Sequence, residues 1–225
     1  MATNRTPLEA LDYASRFEGN APIDDADLKL RILQAASDMI HLAAAWRWSV
    51  DLTTSQDLTN GDVDYTFSAP SPEALYIVRA QLRDANGGLR ELKPSAVVSN
   101  DGNIKGKPDE IQLVSQTSVK VYPVPASSTT QRLIVHHKKQ NTVITEANDD
   151  SAASLLLPDE WFFVYQEAVL LWTMRFMQNP AAGTVSFSGG QANYSGQHAY
   201  VMSLIEFMRL KEKPFLMDTM GVVNG

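Results

Sequence analysis

Cysteine is absent from the 225 residues, which excludes a disulfide framework, a zinc–thiolate site and a thiol nucleophile. Basic charge is scarce: 19 Lys and Arg stand against 26 Asp and Glu, a formal net charge of -7. A protein that binds nucleic acid regardless of sequence presents a basic surface, so the charge argues against that class. A wall past which DNA slides is still allowed, since an acidic wall repels phosphate and adheres weakly. Long uninterrupted apolar runs are also missing. The most hydrophobic stretch, Leu155 to Met177, contains Asp159, Glu160, Gln166, Glu167 and Arg175. A membrane span needs about 20 mostly apolar residues, so this stretch reads as a buried helix. Met1 to Pro7 has no apolar core, and no signal peptide is expected.

What is present suits a globular chain. Apolar residues make up 44% and charged residues 20%, enough to bury a core in one domain or two small ones. Thr6-Pro7-Leu8-Glu9 is a helix-start pattern with proline at the first helical position, and Gly19-Asn20 ends that helix. Asp24 or Asp25 caps a second helix, in which Leu28, Ile32, Ala35, Met39, Leu42 and Ala43 recur at helical spacing. It is expected to run to Ala45 or Arg47.

From Ser49 to about Gln140 the pattern becomes short β-branched runs separated by turn signals. Asn60-Gly61 is the strongest of these and predicts a hairpin. Six to eight short strands are expected, in an antiparallel sandwich or barrel. Leu157-Pro158-Asp159-Glu160 opens another helix, with proline at its first position, that runs to about Gln178. Ala181 to Gly196 reads as a Gly/Ser-rich loop, and Gln197 to Lys211 as a last helix. The expected fold is α+β. A bundle of N- and C-terminal helices (1–48 and 155–212) carries an inserted β-domain (49–145), and 213–225 forms an extended C-terminal arm.

No pattern of catalytic or metal-binding residues stands out. His136 and His137 are neighbours on a strand and point to opposite faces, while His41 and His198 are isolated on helices. Gly102 to Pro108 has a phosphate-loop glycine spacing one residue short, with Pro108 where magnesium would need Ser or Thr. In Asp57 to Asp64 the glycine does not fall at the sixth position of a calcium loop, and Ser68 stands where its bidentate glutamate would be. Glu160 and Glu167 lie two helical turns apart, a spacing usual for solvated or capping carboxylates. No catalytic residue, cofactor or metal site is therefore assigned.

Aromatic placement says more. Trp161, Phe162, Tyr165, Trp172 and Phe176 load one helix on nearly every side, so that helix is either an ordinary core helix or part of a subunit interface. Phe215, Leu216, Met217, Met220, Val222 and Val223 follow the helix-stopping Pro214. Such an apolar tail either frays or orders on docking into a partner, and docking is favoured because soluble proteins avoid exposing patches of this kind.

Four motifs in order resemble the head-to-tail adaptor (connector) proteins of tailed bacteriophages, of the tail-tubular-protein-A type. They are Trp46-Arg47-Trp48-Ser49-Val50 with the Thr-rich strand after it, Asp64 to Pro70, Val121-Tyr122-Pro123-Val124-Pro125, and Leu157-Pro158-Asp159-Glu160-Trp161. The resemblance covers most of the chain and implies a structural, non-enzymatic role. Its members form a homo-oligomeric ring of about twelve subunits in the virion neck between capsid and tail, assembled from chains made in the host cytoplasm. The implied partners are the portal protein, a downstream tail or nozzle protein and further copies of the chain. DNA is only passing cargo, and no membrane is involved. Phe215 to Val223 would be the portal-docking arm. The Ala181 to Gly196 segment departs from the family pattern. The competing expectation is a carbohydrate- or ligand-binding β-module with helical flanks.

Overall fold

The computed structural model describes residues 5–18, 23–66, 73–84, 86–95, 104–126 and 132–214, with backbone only at 52–55. The protein is α+β. It divides into two compact units, one of residues 5–48 with Asn141–Pro214 and the other Ser49–Gln140.

In the first unit the helix starts are set by local chemistry. Helix α1 spans Pro7–Phe17, and its first turn donates the Glu9 N–H to Thr6 Oγ1 at 3.2 Å. Helix α2 spans Ala26–Ala43, with Asp25 Oδ1 accepting the Leu28 N–H at 3.1 Å. It stops short of the expected Ala45 or Arg47 because Trp46 folds back and donates its indole N–H to the Ile40 carbonyl at 2.7 Å. That bond satisfies one of the carbonyls a helix end leaves open. Trp46 is fully buried and stacks on Trp48.

Proline does not open the third helix directly. A tight turn, Asp159–Trp161, comes first, closed by the Trp161 N–H on the Pro158 carbonyl, and α3 follows as Phe162–Phe176. Helix α3 is the hub: it packs against α1, α2 and α4 (Gly196–Glu212). Its buried residues, Phe162, Val164, Tyr165, Ala168, Val169, Leu170, Leu171 and Thr173, cover all but about a quarter of its circumference. That placement fits its poor amphipathicity, since a helix apolar on every side has to be enclosed.

The second unit is built on a seven-stranded sheet. Its strands are β1 (Val50–Asp57), β2 (Asp64–Thr66), β3 (Ala74–Arg83), β4 (Leu89–Pro94), β6 (Glu110–Ser115), β7 (Ser118–Tyr122) and β9 (Arg132–Lys139). Their order is β1-β9-β3-β4-β6-β7-β2, and every neighbouring pair is antiparallel except β4 with β6. Two short strands, β5 (Lys105–Gly106) and β8 (Val124–Pro125), pair separately.

The Asn60-Gly61 turn is present, with Gly61 at φ 81°, but it does not make the expected hairpin. It joins β1 to β2, which lie at opposite edges of the sheet. Seven strands laid flat at about 4.8 Å spacing would separate those edges by roughly 29 Å. The chain from Asp57 to Asp64 reaches about 25 Å even when fully extended. The sheet therefore curls. Its concave side encloses Leu58, Tyr65, Leu82, Leu92, Ile111, Val119, Val121, Leu133 and Val135.

The expected Gly/Ser loop is largely a hairpin, β10 (Val185–Ser188) with β11 (Gln191–Tyr194). Gly189 and Gly190 sit at φ 60° and 78°, the positive values that a two-residue hairpin turn demands. Glycine-rich composition here marks a tight turn between strands.

Candidate functional site

Glu167, on α3, is held by side chains of two other helices. Tyr13 donates its hydroxyl to Glu167 Oε1 at 2.6 Å, and Gln197 donates to Glu167 Oε2 at 2.6 Å. Glu167 thereby ties α1, α3 and α4 together. Burial, and then the neighbouring Glu167 carboxylate, push the Tyr13 phenol well above its usual range. Glu160 is exposed on the preceding turn.

His198 is buried, with Nδ1 2.7 Å from the Arg175 guanidinium, and its ring packs against Tyr194 of the hairpin. Burial, followed by the Arg175 charge, lowers its pKa, so the neutral ring accepts from Arg175. His41 packs beside Trp48. His136 and His137 differ in burial as their alternation on a strand requires, His137 being fully enclosed. Among the described residues no group of three His, Cys, Asp or Glu is placed to hold a metal ion. No helix there is long and apolar enough to cross a membrane.

Among the described residues, two of the spaces lie in the helical unit. One, of about 10 Å³, lies among Ser37, His41, Trp48 and Tyr165, which is room for a single water at most. The other is a cleft of about 370 Å³ between α1 and α2, with Leu11 and Ile23 beside Asp12, Arg16, Asp24 and Lys29. Its charges are mixed and balanced, and no nucleophile or acid–base pair converges on it.

The aromatic helix splits into covered and uncovered parts. Trp161, Phe162 and Tyr165 turn into the core of their own unit. Trp161 donates its indole N–H to Glu212 Oε1 at 2.6 Å, and Tyr165 donates to the Leu33 carbonyl at 3.1 Å. Trp172 is partly covered, with Arg175 against its ring and its own N–H lacking an acceptor. Phe176 reaches the surface, where Arg31 sits over it. Of the five side chains considered for subunit contact, Trp172 and Phe176 are the two whose surface remains open. Phe215, Leu216, Met217, Met220, Val222 and Val223 lie outside the described residues.

Exposed apolar groups that the sequence reading passed over complete the picture. Phe163, Tyr200, Phe207 and Leu210 are all exposed, Leu210 at 75%, and Phe187 near the hairpin tip is exposed at 80%. On α4, Val201, Ile205 and Met208 face the core, while Tyr200, Phe207 and Leu210 recur at i, i+7 and i+10 on the opposite side. Two apolar stripes on one helix leave it weakly amphipathic, and that signal is present in the sequence. A surface of this kind suits association with other protein and supplies no reactive group. No family model matches the chain, and no curated protein matches it.

Proposed function

We propose that the chain is a structural head-to-tail adaptor of a tailed bacteriophage, assembled as a ring of about twelve copies that joins the portal to the tail and lines the DNA channel. The four helices would act as a bundle making the ring contacts. The curled sheet, as an inserted barrel-like or sandwich domain, would meet the next tail component. Phe215 to Val223 would grip the portal.

One observation carries this reading. Helices from both ends of the chain share a single core, and the β-unit is inserted between Trp48 and Asn141, the same order in which the adaptor-like motifs occur. The uncovered aromatic surface of α3 and α4 supports it as well, because a ring subunit needs apolar faces that stay open until assembly. An acidic chain also suits a channel that must not hold DNA.

Purified virions test the proposal. The chain is expected among their proteins, and antibody against it should label the neck between capsid and tail. Virions without the chain, or label elsewhere, would remove the proposal. Deleting Met217 to Gly225 should leave the melting curve unchanged and abolish portal binding.

A further inference from the structure

His198 lies in the first turn of α4, buried at 7% exposure, between a fixed cation and the β10–β11 hairpin. On one side Arg175, in the last turn of α3, brings its guanidinium to 2.7 Å from Nδ1. Arginine stays charged at any pH at which the chain is folded, so Nδ1 has to be the acceptor and the ring neutral. On the other side the Tyr194 ring, at the end of β11, packs at 4.6 Å between centroids. The remaining elements against this turn offer a proton no counter-ion. Glu167 of α3 already takes hydrogen bonds from Gln197 and from Tyr13 of α1, and the Pro180–Ala182 turn has no titratable side chain. The first turn of α4 holds no acidic residue, and Ser195 Oγ accepts from Thr184 of the hairpin instead of capping the helix. The positive end of the helix dipole therefore also acts on His198. Among the described residues no carboxylate bonds the ring.

We propose that His198 is an acid-sensitive latch: its neutral ring holds the hairpin against α3 and α4, and protonation lets the hairpin go. An imidazolium has no acceptor at Nδ1, so the bond from Arg175 is lost and two cations stand at hydrogen-bond distance in a buried site. Relief comes when the ring turns out to solvent, which takes the packing surface away from Tyr194. The hairpin's own side chains bury little. Val185–Ser188 and Gln191–Tyr194 are exposed throughout, apart from the half-buried Ala192. The bonds between Thr184 and Ser195 tie the strand ends to the same helix start that would carry the charge. Burial, and then Arg175, lower the His198 pKa, so the latched chain binds this proton less readily than the open one. The latch is therefore complete above the ordinary imidazole range and is lost as pH falls below it. The segment set free, Val185 to Tyr194, has no acidic or basic residue, so its attachment responds to acid through His198. The proposal concerns the isolated chain and holds or fails without the adaptor reading.

The absence of cysteine makes a direct test available. Two spin labels follow the hairpin, one on Ser188→Cys in the hairpin and one on Ser203→Cys on α4, both exposed positions. Pulsed electron spin resonance on the full-length chain should give a narrow distance distribution at about pH 7.5 and a broad one at about pH 5. Adding His198→Asn, which puts an amide oxygen near the place of Nδ1 and takes up no proton, should keep the distribution narrow at both. Adding Arg175→Met instead keeps an apolar stem against Trp172 and removes the cation, and the change between the two pH values should shrink. Matching distributions at the two pH values in the labelled parent chain would overturn the proposal. So would an acid response of the same size in all three proteins, which would trace it to another group.

Discussion

At the scale of single residues, the groups of the β-unit that depart most from expectation are buried cations and imidazoles. Lys138 is fully enclosed, and burial lowers its pKa from 10.5 to about 8. The folded chain therefore binds fewer protons than the unfolded chain between those values, and stability rises with pH across that window. Raising the pH from 7.5 to 9.5 should add about 1–2 kcal/mol to the free energy of unfolding of the β-unit. In Lys138→Met that rise should vanish, and urea titrations at the two pH values measure it. Above pH 10 the trend reverses for the helical unit, because Tyr13 and Tyr165 are held neutral in the fold, chiefly by burial, and ionise only on unfolding. Trp161 gives a second check. Trp161→Phe keeps an aromatic ring against Phe207 but loses the bond to Glu212, a cost of about 1–2 kcal/mol. Trp161→Ala also empties the site and should cost about 3–5 kcal/mol. Equal melting temperatures for all three proteins would mean that the indole is not held as described.

At the scale of elements, the hairpin of β10 and β11 rests on a backbone clasp. Thr184 donates its N–H to Ser195 Oγ at 2.9 Å, and the Ser195 N–H returns to the Thr184 carbonyl at 3.1 Å. Gly183, at φ 83°, passes so close that an added Cβ would stand 1.8 Å from the Ser195 carbonyl oxygen. Gly189, in the turn, has nothing within 4 Å. Gly189→Ala should therefore cost only the left-handed backbone penalty of about 1–2 kcal/mol, whereas Gly183→Ala should break the clasp and lower the melting temperature much further. Comparable melts for the two variants would contradict the clasp.

The same segment shows where sequence reading stops. The helix starts were legible because each cap is local: Thr6 with Glu9, and Asp25 with Leu28. Most strands were legible from β-branched alternation. The partnership of β1 with β9, about eighty residues apart in sequence and settled by long-range burial, was not. A strong Asn-Gly signal then suggested pairing between two strands that end up at opposite edges. Among the candidate site residues, high aromatic density identified α3 but could not tell a covered Trp161 from an uncovered Phe176, since both occur on a helix apolar all round. The second stripe of α4 was readable from spacing alone.

At the scale of the whole molecule, each unit has its own core. Ser49–Gln140 should therefore fold when expressed alone, giving a β-type circular dichroism spectrum and one cooperative melt. A spectrum of an unfolded chain would show that the sheet needs the helices. Under the proposed function the chain would work by assembly, with α3 fixing the helical unit, the curled sheet offering a separate surface, and the open faces of α3 and α4 available to other protein.

That claim is tested most directly by recovering tagged protein from cells that make its native partners, then imaging the eluate by electron microscopy and identifying the bound proteins by mass spectrometry. The account predicts ring-shaped particles containing many copies of the chain with a portal-sized partner. A clean monomer with no partner would contradict it and would shift the reading toward a ligand-binding β-module.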